Sequence, residues 1–272
     1  MMGVKKQFVT IILAFIGIAF TGSYVQAGSQ QHTEVRHKPE VVATFAKNVE
    51  KYAASKGARA FIVARVGRPV KDLPKGIKFT HTAIAVYSAI TLGSGEVVNG
   101  YAIHNLYQNA DSRNRSDLIV DYPVDFFWGA YELKAGIVIP KPYIQGKLIE
   151  LIKSGDNRVL HNPKYTVLAS PFNSMYQNCT EHTLDMLNAA IYDTTNIAQL
   201  KANTQAHFSA QRVKTSRFKL LLGSALMEDI TTRDHQGKVK TATFTSIAHY
   251  LNQYDLAQNA VTLDANLNAI DI

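Results

Sequence analysis

The chain has 272 residues, 46% of them hydrophobic and 18% charged, with a formal net charge of +8 and a single cysteine. That length and apolar content allow one large domain with a full core, and one cysteine excludes an intramolecular disulfide. The basic residues, among them Lys47, Arg65, Arg68, Lys75 and Lys240, form no dense run; they read as a solvated surface suited to an anionic envelope polymer or lipid, and not as a nucleic-acid site.

The first 27 residues read as a secretory signal peptide. Lys5 and Lys6 precede an apolar run from Phe8 to Phe20, and Val25-Gln26-Ala27 suits cleavage before Gly28. The run is short for a membrane anchor, the alternative reading, and no later stretch is long and apolar enough to span a bilayer. The expected product is a soluble protein in the periplasm or outside the cell, its formal charge lowered to +6 by the loss of the two lysines.

Residues 28–38 are polar and read as a flexible lead-in. Val41, Val42, Phe45, Val49 and Tyr52 recur at helical spacing between Pro39 and Ser55, with Gly57 as the stop. Three strand candidates follow: "ARAFIVARVG" (58–67), "KFTHTAIAVYSAI" (78–90) and "EVVNGYAIHNLY" (96–107), separated by turn residues and read as consecutive antiparallel strands. An exposed loop over 108–117, a short "VDFFWGAY" element, a strand at "LKAGIVIP" (133–140) and a helix from Pro142 come next. The remaining segments predict a helix over 178–192, further helices in "IAQLKANTQAHF", "FKLLLGSAL" and "FTSIAHYLNQY", and a tail over 256–272.

The stretch "QNCTEHTLDML" (177–187) carries the lone thiol. Asn178 is a favoured N-cap and Glu181 falls three positions later, a capping-box spacing that puts Cys179 at the first helical position. Unpaired N–H groups and the helix dipole there favour thiolate over thiol. Thr183, Leu187 and Ile191 continue the same stripe, so a core thiol and a nucleophile both fit.

A nucleophilic thiol needs a base and a group to orient that base. His32 and His37 lie in the lead-in, His235 in a turn, His207 and His249 on predicted helices, and His161 before a polar loop. His182 shares the cysteine helix and reads as a packing or surface residue. His81 opens a strand that could present it to a helix N-terminus. Alternation sets His81, Ala83, Ala85 and Tyr87 on one face, where the small alanines would admit the cysteine helix. Asn105, on the next strand, is the favoured orienter because an amide oxygen can hold the imidazole tautomer without a buried charge; His104 is the alternative on the other face.

A "HTAI" strand start followed by "NCTEH" at a helix start resembles the circularly permuted branch of the papain-like, NlpC-like superfamily, in which histidine precedes cysteine. The run from "ARVGRPVKDLPKGIKFTHTAIAVYS" through "HNPKYTVLASPFNSMYQNCTEHTLDMLNAAIY" to "TATFTSIAHYL" is similar to an uncharacterised family of exported bacterial proteins over about residues 40–255. The resemblance implies an α+β fold with a papain-like core, an antiparallel sheet packed against helices, and additional C-terminal helices. It also implies Cys179 as nucleophile, His81 as base and a polar residue on the next strand as orienter. Thr180 interrupts the "NCEH" of the related acyltransferases, and their second histidine has no counterpart.

Three functions compete: an exported cysteine hydrolase of amide or ester bonds, with cell-wall peptide as first substrate; an acyltransferase or lipid or lipoprotein thioesterase using the same residues; and a non-catalytic envelope binding protein. No cofactor is implied, and a metal is disfavoured because no His and carboxylate cluster accompanies the cysteine.

Overall fold

The computed structural model describes residues 36–214 and 229–272; the signal segment, His32 and the predicted helix at "FKLLLGSAL" lie outside them. Nine strands and six helices are described: α1 (Pro39–Ser55), β1 (Ala60–Val66), β2 (His81–Thr91), β3 (Val97–Gln108), β4 (Ser116–Asp121), α2 (Pro123–Trp128), β5 (Glu132–Pro140), α3 (Pro142–Ser154), α4 (Cys179–Tyr192), α5 (Ile197–His207), β6 (Gln211–Arg212), β7 (Lys240–Thr241), α6 (Phe244–Gln253), β8 (Ala257–Leu263) and β9 (Ala269–Asp271).

Seven strands form one antiparallel sheet in the order β4-β3-β2-β1-β5-β8-β9. The sheet is covered on both faces, which makes β1 buried at every position. Phe61, Val63, Ala83, Ala85 and Ile103 pack with α1 and α2 on one face, while Ile62, Ile84 and Val86 pack with α3, α4, α5 and α6 on the other. Period-2 alternation sorts the strand residues between the two cores.

Local signals explain the helix ends. Pro39 and Pro142 occupy first-turn positions, where their missing N–H costs nothing. Gly57, at φ 71°, ends the α1 region in a conformation that side chains disfavour. Gly136 serves close packing instead: a Cβ there would lie 2.4 Å from the Phe244 ring, so its absence lets α6 settle on β5.

Two expectations are corrected. Residues 256–272 are not a tail: β8 pairs with β5, and β9 with β8, extending the sheet beyond the predicted limit at 255. The exposed loop expected over 108–117 is shorter than that: β3 runs to Gln108 and a further strand, β4, begins at Ser116 and pairs with it. Pairing neighbours stabilise these strands more than their own mixed composition does.

Candidate active site

Helix α4 begins at Cys179, and Asn178 caps it by accepting a 2.9 Å hydrogen bond from the Glu181 N–H. Only half of the expected capping box forms, because the Glu181 carboxylate turns instead to Lys201 on α5. All α4 residues from Cys179 to Ala190 are buried, so this is a central helix surrounded by neighbours and not a one-sided amphipathic one. Burying Leu184 and Leu187 contributes roughly 1.5–3 kcal/mol each.

The α4 N-terminus is latched to β2 at Thr82. Thr180 Oγ1 donates to Thr82 Oγ1 at 3.2 Å, and Thr183 Oγ1 lies 3.4 Å from the Thr82 carbonyl and 2.9 Å from the Cys179 carbonyl. The expectation that α4 would sit over Ala83 and Ala85 is thus corrected: it docks on the Thr82, Ile84 and Val86 face, and the alanines lie in the other core.

His81 is fully buried on that other face, at the mouth of a polar chain. Its Nε2 lies 2.9 Å from Asn105 Oδ1. Asn105 Nδ2 donates to the Ile103 carbonyl at 3.0 Å and to Asp121 Oδ1 at 2.7 Å. Because both of those partners are acceptors, the amide is oriented with its oxygen toward His81, and Nε2 must carry the imidazole proton. Nδ1 is left as the basic nitrogen, and it has no hydrogen-bond partner among the described residues.

Aromatic rings and a buried cation hold this chain in place. Tyr107 stacks on the imidazole at 4.6 Å with an 8° interplanar angle and donates to Asp121 Oδ2 at 2.9 Å. Phe126 from α2 approaches the imidazole at 5.5 Å, and Arg65 donates to the Phe126 carbonyl while lying over both rings. Burial pushes the Asp121 carboxyl up to about 6 even though Tyr107 and Asn105 stabilise its charged form.

The sulfur reaches the same strand end from the opposite side. Cys179 packs with Leu106 and Tyr165, whereas His81 stacks on Tyr107, the next residue along β3 and therefore on the other face. The Thr82 backbone N–H is a hydrogen-bond donor to the sulfur, which places the thiol at the peptide following His81. The structure thus joins His81 to Asn105 and sets Cys179 beside them without a hydrogen bond between Sγ and the imidazole.

Burial shifts both groups toward their neutral forms. It raises the Cys179 thiol above its ordinary value despite donors from Thr82 and Thr180, and burial followed by the Arg65 charge holds His81 well below its own. Desolvation thus works against the thiolate that the helix N-terminus is expected to favour. Alkylation of the single thiol by iodoacetamide, followed by mass spectrometry across pH, should show a midpoint above the roughly 8.5 of a free cysteine. A midpoint below neutrality would instead reveal a thiolate–imidazolium pair.

Cys179 opens onto a cavity of ≈ 290 Å³ whose walls include Leu73, Ile77, Phe79, Leu168, Val213 and Ile230, with Arg68 and Asp72 among the few charged groups. Thr80 lines this cavity, and His81 does not.

The other candidate residues lie elsewhere. His104 pairs with Ile84 and Val120 and so faces away from His81, which removes it as the alternative orienter; burial lowers it to about 4. His161 contacts Ser116 Oγ at 3.1 Å, and His182 is a buried packing residue 6.2 Å from the His161 ring. Arg65, read from sequence as part of a solvated surface, is 2% exposed. Its signal was position: it alternates with Phe61 and Val63 on a strand otherwise wholly apolar.

Among the described residues no cluster of His, Cys, Asp and Glu could hold a metal ion, and no helix is long and apolar enough to cross a membrane. The fold and site define an α+β protein with a covered seven-stranded antiparallel sheet and a buried cysteine beside an oriented histidine. Residues 52–251 match the family described as "Uncharacterized protein conserved in bacteria (DUF2145)", and the chain belongs to that family. No curated protein and no solved structure matches it.

Proposed function

We propose that the protein is a cysteine-dependent hydrolase of ester or amide bonds with a permuted papain-like arrangement of its site. The observation that carries this reading is the thiol of Cys179, at a helix N-terminus and open to a cavity, next to a histidine whose Nε2 is held by Asn105 and whose Nδ1 has no partner among the described residues. His81 Nδ1 takes the thiol proton as the sulfur bonds to the acyl carbon. The proton passes to the leaving oxygen or nitrogen as its bond to that carbon breaks. Water then attacks the thioester, delivering one proton to His81, and the acid departs as the thiol is restored. The Cys179 N–H, at the first helical position, is a donor for the oxyanion.

Proton transfer requires the imidazole and thiol to close to hydrogen-bond distance when substrate binds. Such contacts are commonly long in free enzymes. The apolar cavity walls favour an acyl group with hydrocarbon over a sugar-linked peptide, so among the expected substrates lipid or lipoprotein acyl groups move ahead of cell-wall peptide. Export to the periplasm remains part of the proposal on the strength of the signal-like first 27 residues.

The missing Sγ–imidazole hydrogen bond favours one competing reading, a binding protein that keeps this cavity without turnover. Incubating wild type and Cys179→Ala with acyl esters, lipoprotein and purified peptidoglycan, with products resolved by mass spectrometry, separates the two. Products formed only by wild type are expected; products formed equally, or by neither, would leave the binding reading.

A further inference from the structure

The cavity beside Cys179 holds a cation that the hydrolytic chemistry does not use. Arg68 follows β1 by two residues, is only partly exposed, and lines the cavity with Leu73, Ile77 and Phe79. Its guanidinium makes no hydrogen bond or ion pair among the described residues. Burial lowers its pKa, offset in part by the charges of Asp229, Tyr165 and Asp72; a guanidinium stays charged under any such shift. Neither of these two described acids neutralises it by contact. Asp229 is buried and accepts from Gln108 Nε2 at 3.0 Å, and Asp72 is exposed. A half-buried guanidinium with no partner among the described residues is costly unless something else pairs with it, and its planar donors suit a carboxylate or phosphate.

We propose that this cavity binds an anionic amphiphile, with Arg68 holding a carboxylate or phosphate oxygen and the apolar walls taking a short hydrocarbon chain. The inference deepens the hydrolase reading, and rests on it for the view that the bound chain is a substrate's acyl part. A cavity of ≈ 290 Å³ equals roughly ten water volumes of ~30 Å³ each, which sets the scale of an eight-carbon probe. Arg68 is then a specificity residue: it selects molecules that carry a negative group within reach of the chain bound beside Cys179.

The test measures binding in the Cys179→Ala variant, so that it does not depend on turnover. Octanoate, octyl phosphate and octanol are titrated by calorimetry. Either or both anions should bind at least tenfold tighter than octanol, and the tighter of the two identifies the headgroup class. Arg68→Gln should remove that preference and leave octanol binding unchanged, while Arg68→Lys, which keeps the charge and the packed stem, should retain part of it even if the Gln variant folds poorly. Equal binding of all three probes, no binding of any, or a preference that survives Arg68→Gln would overturn the proposal. A lowered melting temperature in Arg68→Gln with an unchanged anion preference would show that Arg68 pairs with Asp229 instead, and would overturn it as well. Loss of Cys179-dependent turnover would sink the hydrolase reading without touching this result.

Discussion

His81→Ala is expected to lower kcat/KM for any acyl ester or amide that wild type cleaves by roughly 10²–10⁴-fold, the usual contribution of a positioned general acid–base. Asn105→Ala should cost less, because in the proposed mechanism it only holds the Nε2–H tautomer and the ring orientation while Nδ1 keeps its basicity. The double variant should be no worse than His81→Ala alone, since residues acting as a unit are not additive. Losses that multiply would show that Asn105 contributes separately from the imidazole. Thermal melts of the three variants distinguish this from simple unfolding, a necessary control because Tyr107 and Phe126 both pack on the ring.

Lys201→Met should be among the most destabilising single substitutions in the chain, by about 3–5 kcal/mol at neutral pH. Lys201 Nζ pairs with Glu181 and lies 2.7 and 2.8 Å from the two Asp185 carboxylate oxygens, with all three side chains buried. Burial pulls the ammonium pKa down, but the two carboxylates raise it by more; burial and then the Asp185 charge raise Glu181 well above its ordinary value. A carboxyl whose pKa is raised on folding favours the folded state below its unfolded pKa, and that contribution is lost as pH rises through the folded pKa. Without the lysine, Glu181 should be raised further, so the deficit measured by urea denaturation should shrink as pH falls. A deficit independent of pH would mean that lost packing, and not uncompensated charge, destabilises the variant.

Much of the fold was legible locally. Helices α1, α3, α4, α5 and α6 and strands β1, β2, β3 and β5 fall where hydrophobic period, proline and glycine placement and the Asn178 cap put them. Strands β4, β8 and β9 were not legible, since their sequences alternate weakly and their strand state depends on hydrogen bonds to β3, β5 and β8 respectively.

The site was legible in part. Residue chemistry picked out Cys179, His81 and Asn105, and the strand register brings the latter two into contact. Arg65, Tyr107, Asp121 and Lys201 went unread, because a charged or phenolic residue in a sequence looks solvated until its neighbours close over it. Asp121 sits sixteen residues from Asn105, and Lys201 twenty from Glu181, with no local pattern joining either pair. The acids Glu181 and Asp185, four residues apart on a helix buried all round, were the one hint that a cation had to come from outside α4.

The sequence by itself determined the elements with strong short-range period and the start of the cysteine helix, because those depend on dihedral preference and nearest-neighbour hydrogen bonds. Only the tertiary structure decided which face of β2 receives α4, where His81 points, and how deeply the thiol is buried. Those depend on sheet pairing and on packing, and a one-residue step along a strand reverses the face while burial opposes the charged form of the thiol.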